Sequence, residues 1–260
     1  MKRSIPKLIK PTDWSPLKHA LLLPIVLVAG IGFVILVADG KVRGPATSRR
    51  PVTDRILYIG DSLSIGKFGD LIADHLIDEK KYSVAFFASC GSSPENWISG
   101  EPDYETRCGY RDFTSERSTK RDFTRYKTPK LATLLRTYAP RIVIVQQGTN
   151  WMDRPLTNDR IRSIIQNFVK EVRESGATVI WIGPPDSSRF SAAKQENIYS
   201  LIRGVSSVAL INSRPPITSY ERGKTGPDGI HYNRESSATW ARKVIAQLDA
   251  TLAKEPRRSH

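Results

Sequence analysis

The sequence predicts an α/β domain, a parallel sheet covered by helices on both faces, carried behind one membrane-spanning helix. Three observations lead there. Short apolar runs that end in small residues alternate with segments whose apolar side chains recur at helical spacing, the order expected of βα crossovers. Residues 20–38 hold nineteen positions without a charge. The 260 residues, 39% hydrophobic and 25% charged, are enough for one substantial core; this excludes a collagen-like, wholly disordered or polytopic membrane chain.

Residues 1–19 are basic, with Lys2, Arg3, Lys7, Lys10 and Lys18 opposed only by Asp13. The next segment, ALLLPIVLVAGIGFVILVA at 20–38, nearly matches a hydrocarbon layer of about 30 Å at a helical rise of about 1.5 Å per residue. It reads as a single span, and Pro24, Gly30 and Gly32 do not oppose this because membrane helices tolerate such residues. The basic flank favours a cytoplasmic N-terminus. A cleaved signal would have a shorter apolar region, about 7 to 15 residues, so an uncleaved signal anchor is preferred over a cleaved signal or a buried soluble helix. Residues 39–54, with Gly, Pro, Thr, Ser and Arg, form a tether.

The expected domain covers residues 55–260. Arg55-Ile56-Leu57-Tyr58-Ile59-Gly60 is an apolar strand, and Ile65, Phe68, Leu71, Ile72 and Leu76 then mark a helix. Further strands are expected at 82–89, 141–146, 177–183 and 208–212, giving a mostly parallel five-stranded sheet. Ile161, Ile164, Ile165, Phe168, Val169 and Val172 make a helical stripe stopped by Gly176. Ala238, Trp240, Ala241, Val244, Ile245 and Leu248 mark a closing helix. Residues 90–130 lack such a period and read as an excursion over the functional rim. Its cations, Arg107, Arg111, Arg117, Lys120, Arg121, Arg125, Lys127 and Lys130, make either a surface for an anionic glycan or a solvated face. Cys90 and Cys108 are the only cysteines. On the oxidising side of a membrane they can close a disulfide, the alternative being two separate thiols. Their spacing is not that of a compact metal pair and no HExxH motif is present, so neither metal nor cofactor is expected.

Three junctions carry chemistry. Ser62, in Ile59-Gly60-Asp61-Ser62-Leu63-Ser64, stands where a strand feeds a helix and can present its hydroxyl beside backbone N–H donors; small and acidic residues also make ordinary helix caps there. Asn150, in Gln147-Gly148-Thr149-Asn150-Trp151, can offer an amide donor to an oxyanion or simply belong to a turn. In Gly226-Pro227-Asp228-Gly229-Ile230-His231, Asp228 can orient His231, and His231 can accept the Ser62 proton.

Together these blocks resemble the SGNH/GDSL hydrolase superfamily. Gly60-Asp61-Ser62-Leu63 is similar to its serine block, Cys90-Gly91 to its glycine block, Gly148-Thr149-Asn150 to its asparagine block and Asp228-Gly229-Ile230-His231 to its final Asp-x-x-His block. The resemblance implies a flavodoxin-like three-layer α/β/α sandwich, with Ser62 as nucleophile, His231 as general base and then acid, and Asp228 as the carboxylate that orients the imidazole. It also implies an oxyanion hole from the Ser62 and Gly91 N–H groups and the Asn150 side chain. The glycine block is the least regular: Ser89-Cys90-Gly91-Ser92-Ser93 supplies several small residues, and Ser92 competes with Gly91 for the donor position.

The expected enzyme is a serine esterase that removes O-acyl groups, chiefly O-acetyl, from an envelope carbohydrate, anchored in a bacterial inner membrane with its catalytic domain periplasmic. A glycan O-acyltransferase using the same triad is the alternative, and an inactive glycan-binding module a third reading. Trp97 and Trp151 are candidates to stack on a sugar at the rim, against a role as hydrophobic support. A phosphate-binding loop is excluded, because five residues rather than about four separate Gly60 and Gly66, and Phe68 follows Lys67 where a metal-directed hydroxyl is needed. The surplus of 40 Lys and Arg over 26 Asp and Glu, net +14, comes with no nucleic-acid-binding motif, so no nucleic-acid partner is expected.

Overall fold

The computed structural model describes residues 54–115 and 121–255. The basic segment 1–19, the expected anchor 20–38 and nearly all of the tether lie outside them, and every element below belongs to the compact unit Arg49–His260. Among the described residues no helix is long and apolar enough to cross a membrane.

In chain order, β1 (Arg55–Gly60) enters a helical turn, α1 (Ser62–Ile65), and then α2 (Lys67–Asp74), which runs on as a wider turn to Glu79. β2 (Ser83–Ser89) is followed by four short strands, β3 (Glu105–Thr106), β4 (Tyr110–Thr114), β5 (Arg121–Phe123) and β6 (Tyr126–Lys127). The chain continues as α3 (Leu131–Tyr138), β7 (Ile142–Gln146), α4 (Asn158–Glu174), β8 (Thr178–Ile182), α5 (Ala192–Arg203), β9 (Val208–Ile211) and α6 (Arg234–Leu252).

The strand order is β5-β4-β2-β1-β7-β8-β9. The five expected strands are all present, run parallel and lie together, from β2 to β9. The sheet nevertheless has seven strands, because β4 and β5 add an antiparallel hairpin outside β2. The 90–130 excursion is therefore partly sheet, and a separate ribbon pairs β3 with β6. Antiparallel edge strands face solvent on one side and can be short and charged, so they lack the continuous apolar runs that announce buried parallel strands. Phe113 of β4 still joins the core by stacking on Phe86, which stacks in turn on Tyr58, both at 4.6 Å.

The alternation within β1 sets the three layers. Ile56 and Tyr58 face α2 and α6, whereas Leu57 and Ile59 face α3, α4 and α5. The stripe Ile161 to Val172 packs on one face and Trp240, Ala241, Val244 and Leu248 on the other, all buried as their spacing predicts. Phe68 of α2 stacks on Trp240 of α6 at 3.5 Å. The chain leaves β1 for β2 on one side and returns to β7 on the other. The loops after β1 and β7 thus meet at a point where the strand order reverses, the usual place for a binding crevice in an open α/β sheet.

Candidate active site

At the end of β1 the chain turns so sharply that a Cβ on Gly60 would lie 2.3 Å from the Ser64 hydroxyl. Asp61 caps the turn, its Oδ1 accepting from Leu63 N–H at 2.9 Å. Ser64 Oγ donates to Gln146 Oε1 at 2.7 Å and lies 2.8 Å from the Tyr58 hydroxyl, so the turn is tied to β7 and to its own strand. Ser62 sits on this braced turn, partly exposed. Asp61 is fully buried, its Oδ2 without a partner among the described residues, and burial pushes its carboxyl up to about 7.

Across the crevice, His231 Nε2 is 3.0 Å from Ser62 Oγ and His231 Nδ1 is 2.6 Å from Asp228 Oδ2. Asp228 Oδ1 also accepts from the Ile230 and His231 N–H groups, at 2.9 and 2.7 Å. Partial burial pushes the Asp228 carboxyl up, but the His231 ring and these two N–H donors outweigh it and hold it at about 2. An ionised carboxylate only accepts hydrogen bonds, so the proton shared with Asp228 belongs to Nδ1, and Nε2 is left to accept from Ser62. The loop is shaped by Gly226, where a Cβ would lie 1.8 Å from the His231 carbonyl oxygen. The Tyr220 hydroxyl accepts from Gly229 N–H at 3.0 Å and donates to the His231 carbonyl at 3.2 Å.

β1 is in register with both neighbours, Gly60 opposite Ala88 and Gln146, so Ser62, Gly91 and Asn150 all follow strand ends at one level of the sheet. Asn150 Nδ2 donates to the Ser92 carbonyl at 2.8 Å, which brings the asparagine against the 91–92 turn. Ser92 is fully buried: its N–H goes to the Ser89 carbonyl at 3.2 Å, and its hydroxyl receives Trp97 Nε1 and Gln147 Nε2. Ser92 is therefore a hub beneath the turn, with its own N–H already engaged, which leaves Gly91 as the candidate donor. Gly91 adopts φ +74°, and a Cβ there would meet the Tyr104 hydroxyl at 2.5 Å, so both backbone and space call for glycine.

Cys90 and Cys108 form a disulfide. It pins the turn to the stretch leading into β4, alongside the Tyr104 and Thr106 hydroxyls, which both donate to the Cys90 carbonyl.

The placement of Trp97 and Trp151 at a sugar-binding rim is corrected. Both are buried, at 0% and 1% exposure, because their indole N–H groups are spent inward, Trp97 on Ser92 and Trp151 on Glu95. Four of the rim cations are matched: Arg111 pairs with Asp70, Arg125 with Glu105, and Lys127 and Lys130 with Asp103. Sequence reasoning missed Arg154 and Glu95. Arg154 Nη1 donates to Glu95 at 2.6 Å and Nη2 to the Gly91 carbonyl at 3.0 Å. No local motif links residues so far apart in sequence.

The chain is thus a mostly parallel α/β/α sandwich with a serine–histidine–aspartate hydrogen-bond chain at the carboxyl edge of its sheet. Solved structures agree on the fold. The chain is similar to a carbohydrate esterase family 3 protein from Talaromyces cellulolyticus, at 13% identity and a TM-score of 0.55 over 78% of this chain and 100% of that one. It is also similar to a candidate SGNH hydrolase from Slackia heliotrinireducens, at 14% identity and TM-score 0.52 over 75% and 98% of the two chains. An alpha/beta hydrolase enzyme from the metagenome of Lake Arreo, Spain, matches at 15% identity and TM-score 0.51 over 74% and 94%. No protein-family model and no curated protein sequence matches the chain.

Proposed function

We propose that the chain is an SGNH/GDSL-type serine ester hydrolase that removes acyl groups, chiefly acetyl, from an envelope or extracellular carbohydrate. The observation that carries this reading is the continuous hydrogen-bond chain Asp228–His231–Ser62, ending on a partly exposed hydroxyl. Ser62 Oγ attacks the ester carbonyl while His231 Nε2 takes its proton. Asp228 stabilises the imidazolium, and the Ser62 and Gly91 N–H groups with Asn150 Nδ2 hold the oxyanion. The C–O bond to the alcohol breaks as His231 returns the proton to it, leaving an acyl-serine. Water deprotonated by His231 then releases the acid and restores Ser62.

Carbohydrate as the acyl carrier is supported by the fold shared with the carbohydrate esterase family 3 protein. Attachment at the outer face of a bacterial cytoplasmic membrane is supported by the uncharged segment 20–38 and by the Cys90–Cys108 disulfide, a bond that persists in oxidising compartments.

The test is acetate release from acetylated glycans and from an activated acetyl ester, with transfer to added sugar measured in parallel. Wild type is expected to release acetate and Ser62→Ala, folded by circular dichroism, to release none. A folded Ser62→Ala protein with normal turnover ends the proposal, and acetyl appearing on the sugar instead of in solution replaces hydrolysis by transfer.

A further inference from the structure

Lys67 and Arg234 stand at the first positions of α2 and α6, helices locked together by the Phe68–Trp240 stack. Both side chains line a cavity of about 340 Å³ whose wall also contains Ser62 and His231. The other groups of that wall are already satisfied: Asp70 is held by Arg111 at 2.9 Å, the Tyr232 hydroxyl donates to the Asp186 carbonyl, and the Ser237 hydroxyl donates to the Tyr232 carbonyl. Among the described residues no carboxylate pairs with Lys67 or Arg234. Arg111, Arg125, Lys127 and Lys130 of the 90–130 stretch have carboxylate partners, whereas Lys67 and Arg234, beside Ser62, have none among the described residues. Two cations in a concave wall raise the local concentration of anions, and a guanidinium fork matches a carboxylate or phosphate.

We infer that this cavity is a subsite for an oxyanion carried by the ester substrate, with Lys67 and Arg234 as its ligands. The enzyme then selects acidic acylated molecules over neutral ones. This rests on the ester-hydrolase reading and adds a substrate class to it.

The experiment compares kcat/KM for 3-acetoxybenzoate, 3-acetoxyphenyl phosphate and the neutral methyl 3-acetoxybenzoate. Wild type is expected to favour the anionic esters about tenfold at low ionic strength, with the preference shrinking as salt is added. In Lys67→Gln/Arg234→Gln the anionic-to-neutral ratio should fall to near one, whereas Lys67→Arg should retain it. A preference for either anion supports the subsite, and the larger of the two identifies the group. Equal rates for all three esters in wild type, or a ratio unmoved in the double variant, overturn it; the salt series on wild type decides the matter if that variant does not fold. Should no ester be turned over, the hydrolase reading fails, and the subsite is judged by binding of 3-hydroxybenzoate. Tighter binding to wild type than to the double variant supports it, and equal binding overturns it.

Discussion

Arg154 donates from Nη2 to the carbonyl oxygen of Gly91 at 3.0 Å while its Nη1 holds Glu95 at 2.6 Å. Gly91, whose N–H the proposed mechanism assigns to the oxyanion, therefore has its carbonyl fixed by a side chain from the loop after β7. A carbonyl so held limits rotation of the Gly91 backbone, which its missing Cβ would otherwise leave loose. On the proposed mechanism Arg154 is a positioning residue, and Glu95, which also receives Trp151 Nε1, sets the guanidinium.

Arg154→Ala should lower kcat by about tenfold with little change in KM, because the donor stays in place but loses its orientation, less than the roughly 10²–10³ seen when a donor is deleted. Arg154→Lys should recover only part of the loss, since an ammonium cannot bridge Glu95 and the Gly91 carbonyl as a fork does. Steady-state kinetics on an activated acetyl ester checks this, and a change confined to KM would assign Arg154 to substrate contact instead.

Asn150→Ala removes a donor outright, so kcat should drop by roughly 10²–10³. The variant also frees the Ser92 carbonyl, which Asn150 holds at 2.8 Å. Single-turnover measurements should show acylation slowed and ground-state binding changed far less; equal losses in both would make Asn150 a structural part of the turn.

Much of this was legible from the chain, and the division between what was and was not has a physical basis. Ile56 to Ile59 and Ile142 to Val145 announce themselves because strands buried on both faces are near-continuous apolar runs, and Ser62, Asn150 and His231 follow as polar residues beyond the ends of such runs or in a glycine-shaped loop. The β4–β5 hairpin did not, since Tyr110-Arg111-Asp112-Phe113 mixes charge with aromatic residues at a sheet edge. Trp97 and Trp151 show a second limit: amphipathic side chains are read from sequence as surface platforms or as core with equal ease, and only the inward partners of their N–H groups decide. The Arg154–Glu95–Gly91 link needs two loops brought together by β1, β2 and β7, which no one-dimensional spacing encodes.

Asp61 should give the fold a pH dependence of unusual sign for a carboxylate. Its pKa rises from 3.8 to about 7 on burial, so its contribution to stability is complete below about pH 4 and is lost as pH climbs through 7. Asp228, held near 2, acts oppositely: its contribution is present above about pH 4 and fades as pH falls toward 2. Asp61→Asn keeps an oxygen to accept from Leu63 N–H and cannot ionise. Denaturant titrations should show the stability of wild type relative to this variant falling by about 1.4 kcal/mol per pH unit between 4 and 7, then levelling. A flat difference over that range would mean that Asp61 titrates like a solvated carboxyl.

The Cys90–Cys108 bridge acts on stability and on the site by separable routes. It closes a loop of sequence separation 18, for which the chain-entropy argument gives about 3 kcal/mol, so Cys90→Ala/Cys108→Ala should lower the denaturant midpoint accordingly. Catalysis should suffer much less. The Cys90 carbonyl keeps its bonds from the Tyr104 and Thr106 hydroxyls, at 2.8 and 2.9 Å, and the Gly91 carbonyl keeps its bond from Arg154. With three backbone restraints surviving on the turn, kcat measured well below the melting transition should remain within about tenfold of wild type. A collapse in kcat at unchanged stability would reverse this assignment and make the disulfide the element that aims the Gly91 N–H.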